Sequence, residues 1–81
     1  MQTRFLKKFS KDLDKLKQPK DKKAILNIIH EVQASSSLDN IQNVKKLTEF
    51  TNAYRIRSGN LRLGVFIDEE TVEFARVAFR K

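Results

Sequence analysis

The chain contains no cysteine and only one histidine and one tyrosine among its 81 residues. Without cysteine, neither a disulfide framework nor a thiolate zinc site can form, and nothing indicates an oxidising compartment. A single histidine excludes catalysis by a histidine pair. No stretch approaches the roughly 18 apolar residues of a membrane-spanning helix, and the N-terminus lacks the apolar run of a secretory signal. We therefore expect a soluble, cytoplasmic protein that makes no membrane contact.

The only proline, Pro19, divides a region whose apolar residues recur at helical spacing. An i, i+3, i+4, i+7 series is typical of a helix with one buried face. Its members are Phe9, Leu13 and Leu16 before the proline, and Ile25, Ile28, Ile29 and Val32 after it. Because proline is tolerated in the first turn of a helix, residues 17–20 are expected to link two antiparallel helices. The serines that follow Ala34 are expected to end the second helix.

From Val44 onward the period of the apolar residues becomes two, which predicts strands. One of the two glycines, Gly59, stands with Asn60 between two alternating runs. A two-residue turn at this point predicts a hairpin in which Ile56 lies opposite Leu63. Tyr54 is then opposite Val65, and its side chain is expected in the core. A short opening strand is expected around residues 3–6.

Arginines occupy the remaining alternate positions of this hairpin, at 55, 57 and 62. The same register sets Arg57 directly opposite Arg62, although like charges in that position destabilise a sheet by a few tenths to about 1 kcal/mol. Planar, permanently charged guanidinium groups on a rigid sheet are suited to holding phosphate. A net charge of +7 also favours nucleic acid or another acidic partner. The pattern predicts an open sheet face that binds phosphate.

The last strand, expected over residues 71–79, has two possible registers. A two-residue turn after Asp68 places Val72 and Phe74 inward, whereas a three-residue turn places Ala75 and Val77 inward. We favour the three-residue turn, because the two-residue turn would bury an arginine of this strand without a partner.

The favoured register turns Arg76 and Arg80 toward Arg62. Two alternative roles then remain for Arg76: it is either a binding residue or one partner of a structural ion pair. For an ion pair the candidate partners are Glu73 and Glu49.

These elements predict one domain over residues 1–81, of the α+β class. Two N-terminal antiparallel helices are expected to pack on one face of a small antiparallel sheet, which leaves the arginine face open. Lys45 and Lys46, just before the hairpin, are candidates for contact with a nucleic-acid backbone. His30 is expected on a helix surface or in the core, since no metal-ligand spacing accompanies it.

The stretch KKLTEFTNAYRIRSGNLRLGVFIDEETVEFARVAFRK resembles the second half of the RelE/ParE superfamily of toxins from bacterial type II toxin–antitoxin systems. The opening FLKKFSKDLDKL, followed by a second helix, is similar to the first half. The resemblance implies two helices on an antiparallel sheet, the arrangement already expected. It also implies a cognate antitoxin as partner. Many members are messenger-RNA endonucleases in the ribosomal A site, where contacts with 16S ribosomal RNA are also expected, and others inhibit DNA gyrase.

For the RNA-cleaving members, the resemblance implies a mechanism without metal or cofactor, in which a ribose 2′-hydroxyl attacks the adjacent phosphate. Cations must then offset the charge that develops on the phosphate oxygens. By position, Arg62 and Arg80 match residues that stabilise this phosphate. The expected RNA-binding residues are Arg55, Arg57, Lys45, Lys46 and Arg76.

One departure from the family pattern concerns proton transfer. Members commonly carry a polar residue just before the late arginine and a tyrosine after it, whereas this chain has Phe79 before Arg80 and ends at Lys81. Arginine is a poor general acid, because its guanidinium stays protonated far above neutral pH. We expect that a C-terminal tail is missing from this chain. Otherwise the toxin uses other groups for proton transfer, or the chain is inactive. The alternative function is that of a gyrase inhibitor or an inactive toxin-like binding protein.

Overall fold

The computed structural model describes residues 1–37, 40–47 and 51–79, and it confirms the α+β class. The chain forms a strand, two helices and then four strands. The strands are β1 (Gln2–Phe5), β2 (Val44–Lys46), β3 (Ala53–Ser58), β4 (Leu61–Asp68) and β5 (Thr71–Phe79). The helices are α1 (Lys7–Asp14) and α2 (Pro19–Ala34).

The helix bounds follow from the local sequence. Pro19 is the first residue of α2, where its missing N–H would have no partner in any case. Asp21 adds a negative charge in the first turn, which the helix dipole favours. Most of the predicted apolar series is buried, and Leu13 is partly buried against the core. The buried members are Phe9 in α1, Leu16 just after it, and Ile25, Ile28, Ile29 and Val32 in α2. Neither helix, within the described part of the chain, has the length and apolar character needed to span a bilayer.

The five strands form one sheet in the order β1-β5-β4-β3-β2. Three of the four strand pairs are antiparallel, but β1 runs parallel to β5, with Gln2 opposite Thr71 and Phe5 opposite Phe74. The prediction of a wholly antiparallel sheet was wrong in this pairing. The physical reason is that two helices, not a tight turn, follow β1, so its neighbour in the sheet is a distant strand.

The β3–β4 hairpin has the predicted register. Ile56 lies opposite Leu63 and Arg57 opposite Arg62, while Ser58 and Leu61 close a two-residue turn. Gly59 has a φ of 57°, a conformation that glycine adopts at no steric cost and that suits the first position of a type II′ turn.

The turn before β5 also has two residues, because Asp68 pairs with Thr71. The preference for a three-residue turn was therefore wrong. Val72 and Phe74 are completely buried. The Phe74 ring contacts those of Phe5 and Phe9, with both pairs of ring centroids 5.3 Å apart. Aromatic contact of this kind adds to the stabilisation from apolar burial and fixes the first half of β5 against the core.

A β-bulge then reverses the parity of β5. Gly64 pairs with Arg76 and Val65 pairs with Phe74, so Ala75 is an extra residue on this strand. A bulge of this kind changes the direction in which the following side chains point. As a result Val77 is buried and Arg76 is exposed, as the favoured register had it, although the cause is a bulge and not a longer turn.

Helix α1 covers the edge of β5 that β1 leaves unpaired. The Leu6 N–H donates to the Phe74 carbonyl at 3.0 Å, where β1 ends. Six residues further along, in α1, Asp12 Oδ2 accepts a hydrogen bond from the Val77 N–H at 2.9 Å. The carboxylate thus satisfies an edge N–H that has no strand partner on this side.

Candidate nucleic-acid interface

Arginines from three neighbouring strands share the sheet face that points away from the core, here called the outer face. Their backbone registers align them in two rows across the sheet. The turn row, next to Gly59, consists of Arg57, Arg62 and Ala78. The Gly64 row, one step further from the turn, consists of Lys45, Arg55, Gly64 and Arg76. Side chains that are direct neighbours across such rows lie about 5 Å apart at Cβ.

The turn row borders a groove of about 210 Å³ that is lined by Asn43, Arg57, Gly59 and Arg62. Arg62 Nη1 donates to the carbonyls of Gly59 and Leu61 at 2.8 and 2.9 Å, which holds its guanidinium over the turn. The main-chain N–H of Arg57 donates to the Asn43 carbonyl at 3.0 Å, so a backbone hydrogen bond holds the Arg57 side of the groove in place. Two cations therefore border one small groove at a rigid turn.

The two candidate lysines of β2 point to opposite sides. Lys45 pairs with Arg55 and belongs to the outer face, whereas Lys46 pairs with Tyr54, whose side chain packs against the core. Lys46 is therefore not brought to the arginine face, because neighbouring residues of a strand alternate between its two faces.

Arg55 is half buried, and its Nε atom is buried without a hydrogen-bond partner in the described structure. It lies opposite Gly64, which has no side chain to fill the space above it. A buried donor without a partner costs about 1 to 3 kcal/mol, and an acceptor that reaches it removes this cost. The Gly64 row thus contains a buried Nε–H that lacks an acceptor.

Arg76 forms a salt bridge with Asp12 of α1, from Nε to Oδ2 at 2.8 Å, and a longer contact from Nη2 to Oδ1 at 3.5 Å. The Arg76 side chain remains 59% exposed, while the Asp12 side chain is 15% exposed. The Arg76 hydrogen bond, together with the Val77 N–H, lowers the pKa of Asp12 even though burial opposes this shift. The predicted ion pair exists, with Asp12 in place of Glu73; Glu49 lies outside the described residues.

The remaining predictions are met in part. Tyr54 packs against the core as expected, and His30 is exposed on α2. Arg80 and Lys81 lie outside the described residues. The sequence reasoning missed Asp12, because its partners are 64 and 65 positions away and no local pattern connects them.

Near the two rows the outer face has little chemistry besides positive charge, whereas further along β4 and β5 it carries Glu73, opposite Phe66. Among the described residues it carries neither histidine nor tyrosine, since His30 lies on α2 and Tyr54 on the inner side. Within those same residues no group of three His, Cys, Asp or Glu side chains is placed to hold a metal ion. The described part of this face is equipped to bind and stabilise anions.

Comparison with known proteins places the chain in a family. No model of a protein family matches the sequence. The toxin RelE3 of Methanocaldococcus jannaschii, however, is 42% identical over 82 aligned positions, which cover 100% of this chain and 92% of that protein. The chain belongs to the RelE family of toxins.

Solved structures of RelE proteins have the same fold. The RelB–RelE antitoxin–toxin complex of Methanococcus jannaschii contains a chain that matches with a TM-score of 0.82 and 38% identity, over 94% of this chain and 88% of that one. The RelBE2 complex of Mycobacterium tuberculosis matches with a TM-score of 0.75 and 29% identity, over 98% and 96%. The expected RelE-like architecture is therefore confirmed.

Proposed function

We propose that this RelE family protein is the toxin of a toxin–antitoxin system and cleaves messenger RNA on the ribosome without a metal ion. The observation that carries the proposal is the turn row, in which Arg57 and Arg62 border one groove at a rigid hairpin turn. Two like charges held opposite each other disfavour folding. A phosphate bound between them attracts both guanidinium groups and so offsets their mutual repulsion.

The reaction that suits such a groove is attack of a ribose 2′-oxygen on the adjacent phosphorus. The P–O bond to the 5′-oxygen breaks, which leaves a cyclic phosphate and a 5′-hydroxyl, and the proton lost from the 2′-hydroxyl is balanced by one gained at the 5′-oxygen. Negative charge builds up on the non-bridging oxygens in the transition state. Arg62, fixed by two carbonyl contacts, is proposed to stabilise it together with Arg80.

The other cations of the outer face are proposed to hold the RNA strand. Arg55, Arg57, Lys45 and Arg76 lie on this face, and each phosphate contact adds a salt-dependent contribution to affinity. Lys46, on the opposite side of β2, is proposed to contact RNA only from the strand edge.

An antitoxin is the proposed protein partner. The M. jannaschii structure that matches with a TM-score of 0.82 is an antitoxin–toxin complex, which supports a similar assembly for this chain. A net charge of +7 and an arginine-bearing face favour an acidic or amphipathic segment as the inhibitor.

The test is to induce the protein in a bacterium and to map messenger-RNA 5′ ends. Codon-phased cuts are expected from the wild type. Arg62→Ala and Arg80→Ala are each expected to reduce cutting about 100-fold or more, as loss of a transition-state donor does. Lys23→Ala, which removes one exposed charge from α2, is the matched control and should cut normally. Unchanged cutting by both arginine variants would overturn the site assignment.

Inhibition of DNA gyrase is the second candidate function. It is favoured by the lack of histidine and tyrosine on the described outer face, since RNA cleavage needs proton transfer. Growth arrest with DNA damage and intact messages in the same experiment would identify this activity and exclude the nuclease.

A further inference from the structure

The Gly64 row combines three features that the turn row does not have. Its centre is a glycine, whose missing side chain leaves a gap between Arg55 and Arg76. A Cβ placed on Gly64 would touch only the Cβ of Arg76, at 3.9 Å, so the gap is open toward the outside. Arg55 contributes a buried Nε without an acceptor, and Arg76 contributes an exposed guanidinium anchored by Asp12.

The spacing of the two rows fits a nucleic-acid backbone. Arg62 and Gly64 are two residues apart on β4, and two residues of a strand span about 7 Å. This length is comparable to the distance between successive phosphates of a single RNA strand. A strand with one phosphate at the turn row would place the next one at the Gly64 row.

The β-bulge and the salt bridge are what make Arg76 part of this row. Without the extra residue Ala75, the alternation from buried Phe74 would turn Arg76 inward. Asp12 then accepts a hydrogen bond from the Nε–H of Arg76, which holds the guanidinium in one orientation. A side chain fixed in advance loses less entropy when it binds an anion.

We propose that the Gly64 row is a second phosphate subsite, which binds the linkage next to the cleaved one, and that Asp12 is the positioning residue for Arg76 in it. The subsite rests on the proposed nuclease function, and it adds a definite path for the RNA along β4. Its ligand is a phosphodiester of single-stranded RNA.

The decisive experiment removes charge from one linkage of the RNA at a time. Ribosomes are programmed with messages that carry a methylphosphonate at the linkage on the 5′ or the 3′ side of the cut. For the wild type, one of the two is expected to lower kcat/KM about 10-fold, the loss typical of one charged hydrogen bond. For Arg76→Ala, kcat/KM for the unmodified message should fall by about the same factor, and the methylphosphonate should then lower it no further.

Asp12→Asn tests the positioning role. It keeps an oxygen near Val77 N–H but lacks the charge, so it should lower kcat/KM severalfold in the wild-type background and not at all in Arg76→Ala. Gly64→Val should abolish the methylphosphonate effect while the protein stays folded, whereas Gly64→Ala should retain most of it. Lys23→Ala is again the control for charge alone.

A binding measurement separates failure of the subsite from failure of the nuclease proposal. In the folded protein, the 15Nε signals of Arg55 and Arg76 should shift when a short single-stranded RNA is added. Shifts in a protein that does not cleave messages on the ribosome would overturn the nuclease function and leave the Gly64 row as a phosphate-binding site. Cleavage with no shift at these arginines would overturn the subsite. So would a methylphosphonate effect that is the same in the wild type and in Arg76→Ala at both flanking linkages.

Discussion

Asp12 accepts hydrogen bonds from both the side chain of Arg76 and the backbone N–H of Val77, and so connects the first helix to the last strand. We expect Asp12→Ala to lower the free energy of unfolding by about 1.5 to 3 kcal/mol, the usual range for hydrogen bonds to a charged group. Urea titration measures this loss. Arg76→Ala should cost less, because Arg76 is largely exposed and the Val77 bond remains. An equal or larger loss in Arg76→Ala would show that the edge N–H contributes nothing.

The same carboxylate predicts a pH dependence. Its pKa is lowered from the usual value of 3.8 by the Arg76 hydrogen bond first, so the unfolded state takes up a proton at higher pH than the folded state. The stabilisation is therefore complete above about pH 4 and is lost as the pH falls through the lowered pKa. The difference in unfolding free energy between wild type and Asp12→Asn should be constant from pH 7 to about pH 5 and shrink below pH 4. A difference that grows on acidification would contradict this assignment.

The β4–β5 turn contains a strained residue. Glu69 has a φ of 52°, a region that disfavours residues other than glycine and asparagine. Glu69→Gly is expected to raise the free energy of unfolding by about 0.5 to 1 kcal/mol, after allowance for the greater freedom of glycine in the unfolded chain. Glu70→Gly removes the same charge at a residue without a positive φ, so it should lower stability by a similar amount. Thermal unfolding of both variants tests the difference, and a gain in both would indicate charge repulsion as the cause.

Arg57 and Arg62 should show a conflict between stability and activity. Arg57→Gln removes a like-charge pair and is expected to raise the free energy of unfolding by about 0.2 to 1 kcal/mol while it lowers RNA cleavage. Lys23→Gln, which removes one exposed charge from α2, is the matched control and should change neither quantity appreciably. Denaturation and cleavage assays on the same preparations decide the point. A less stable Arg57→Gln would mean that the pair is not repulsive in the folded protein.

The hairpin could be predicted from sequence because one short turn determines its register. Gly59 and Asn60 leave room for only one alignment that buries Ile56 and Leu63, and every other pair of the hairpin follows from it. The arginines of the turn row were located for the same reason. Local chemistry was sufficient here because each contact lies within a few residues of the turn.

The last strand could not be predicted in the same way, because each of the two simple registers describes only half of it. Phe74 follows the two-residue turn, whereas Val77 follows the opposite parity, and the bulge at Ala75 reconciles them. An alanine carries no sequence signal for a bulge. The Asp12 contact and the parallel position of β1 depend on residues far apart in the chain, for which a single sequence offers no periodic pattern.

The parallel pairing of β1 with β5 determines when, during synthesis, the sheet can be completed. Gln2 emerges from the ribosome well before its partner Thr71, which must also be synthesised and clear the exit tunnel before the two can meet. Pairing across so many residues is slow, because the intervening chain must first be ordered. A newly made molecule therefore keeps an incomplete sheet until residues 71–74 have left the exit tunnel.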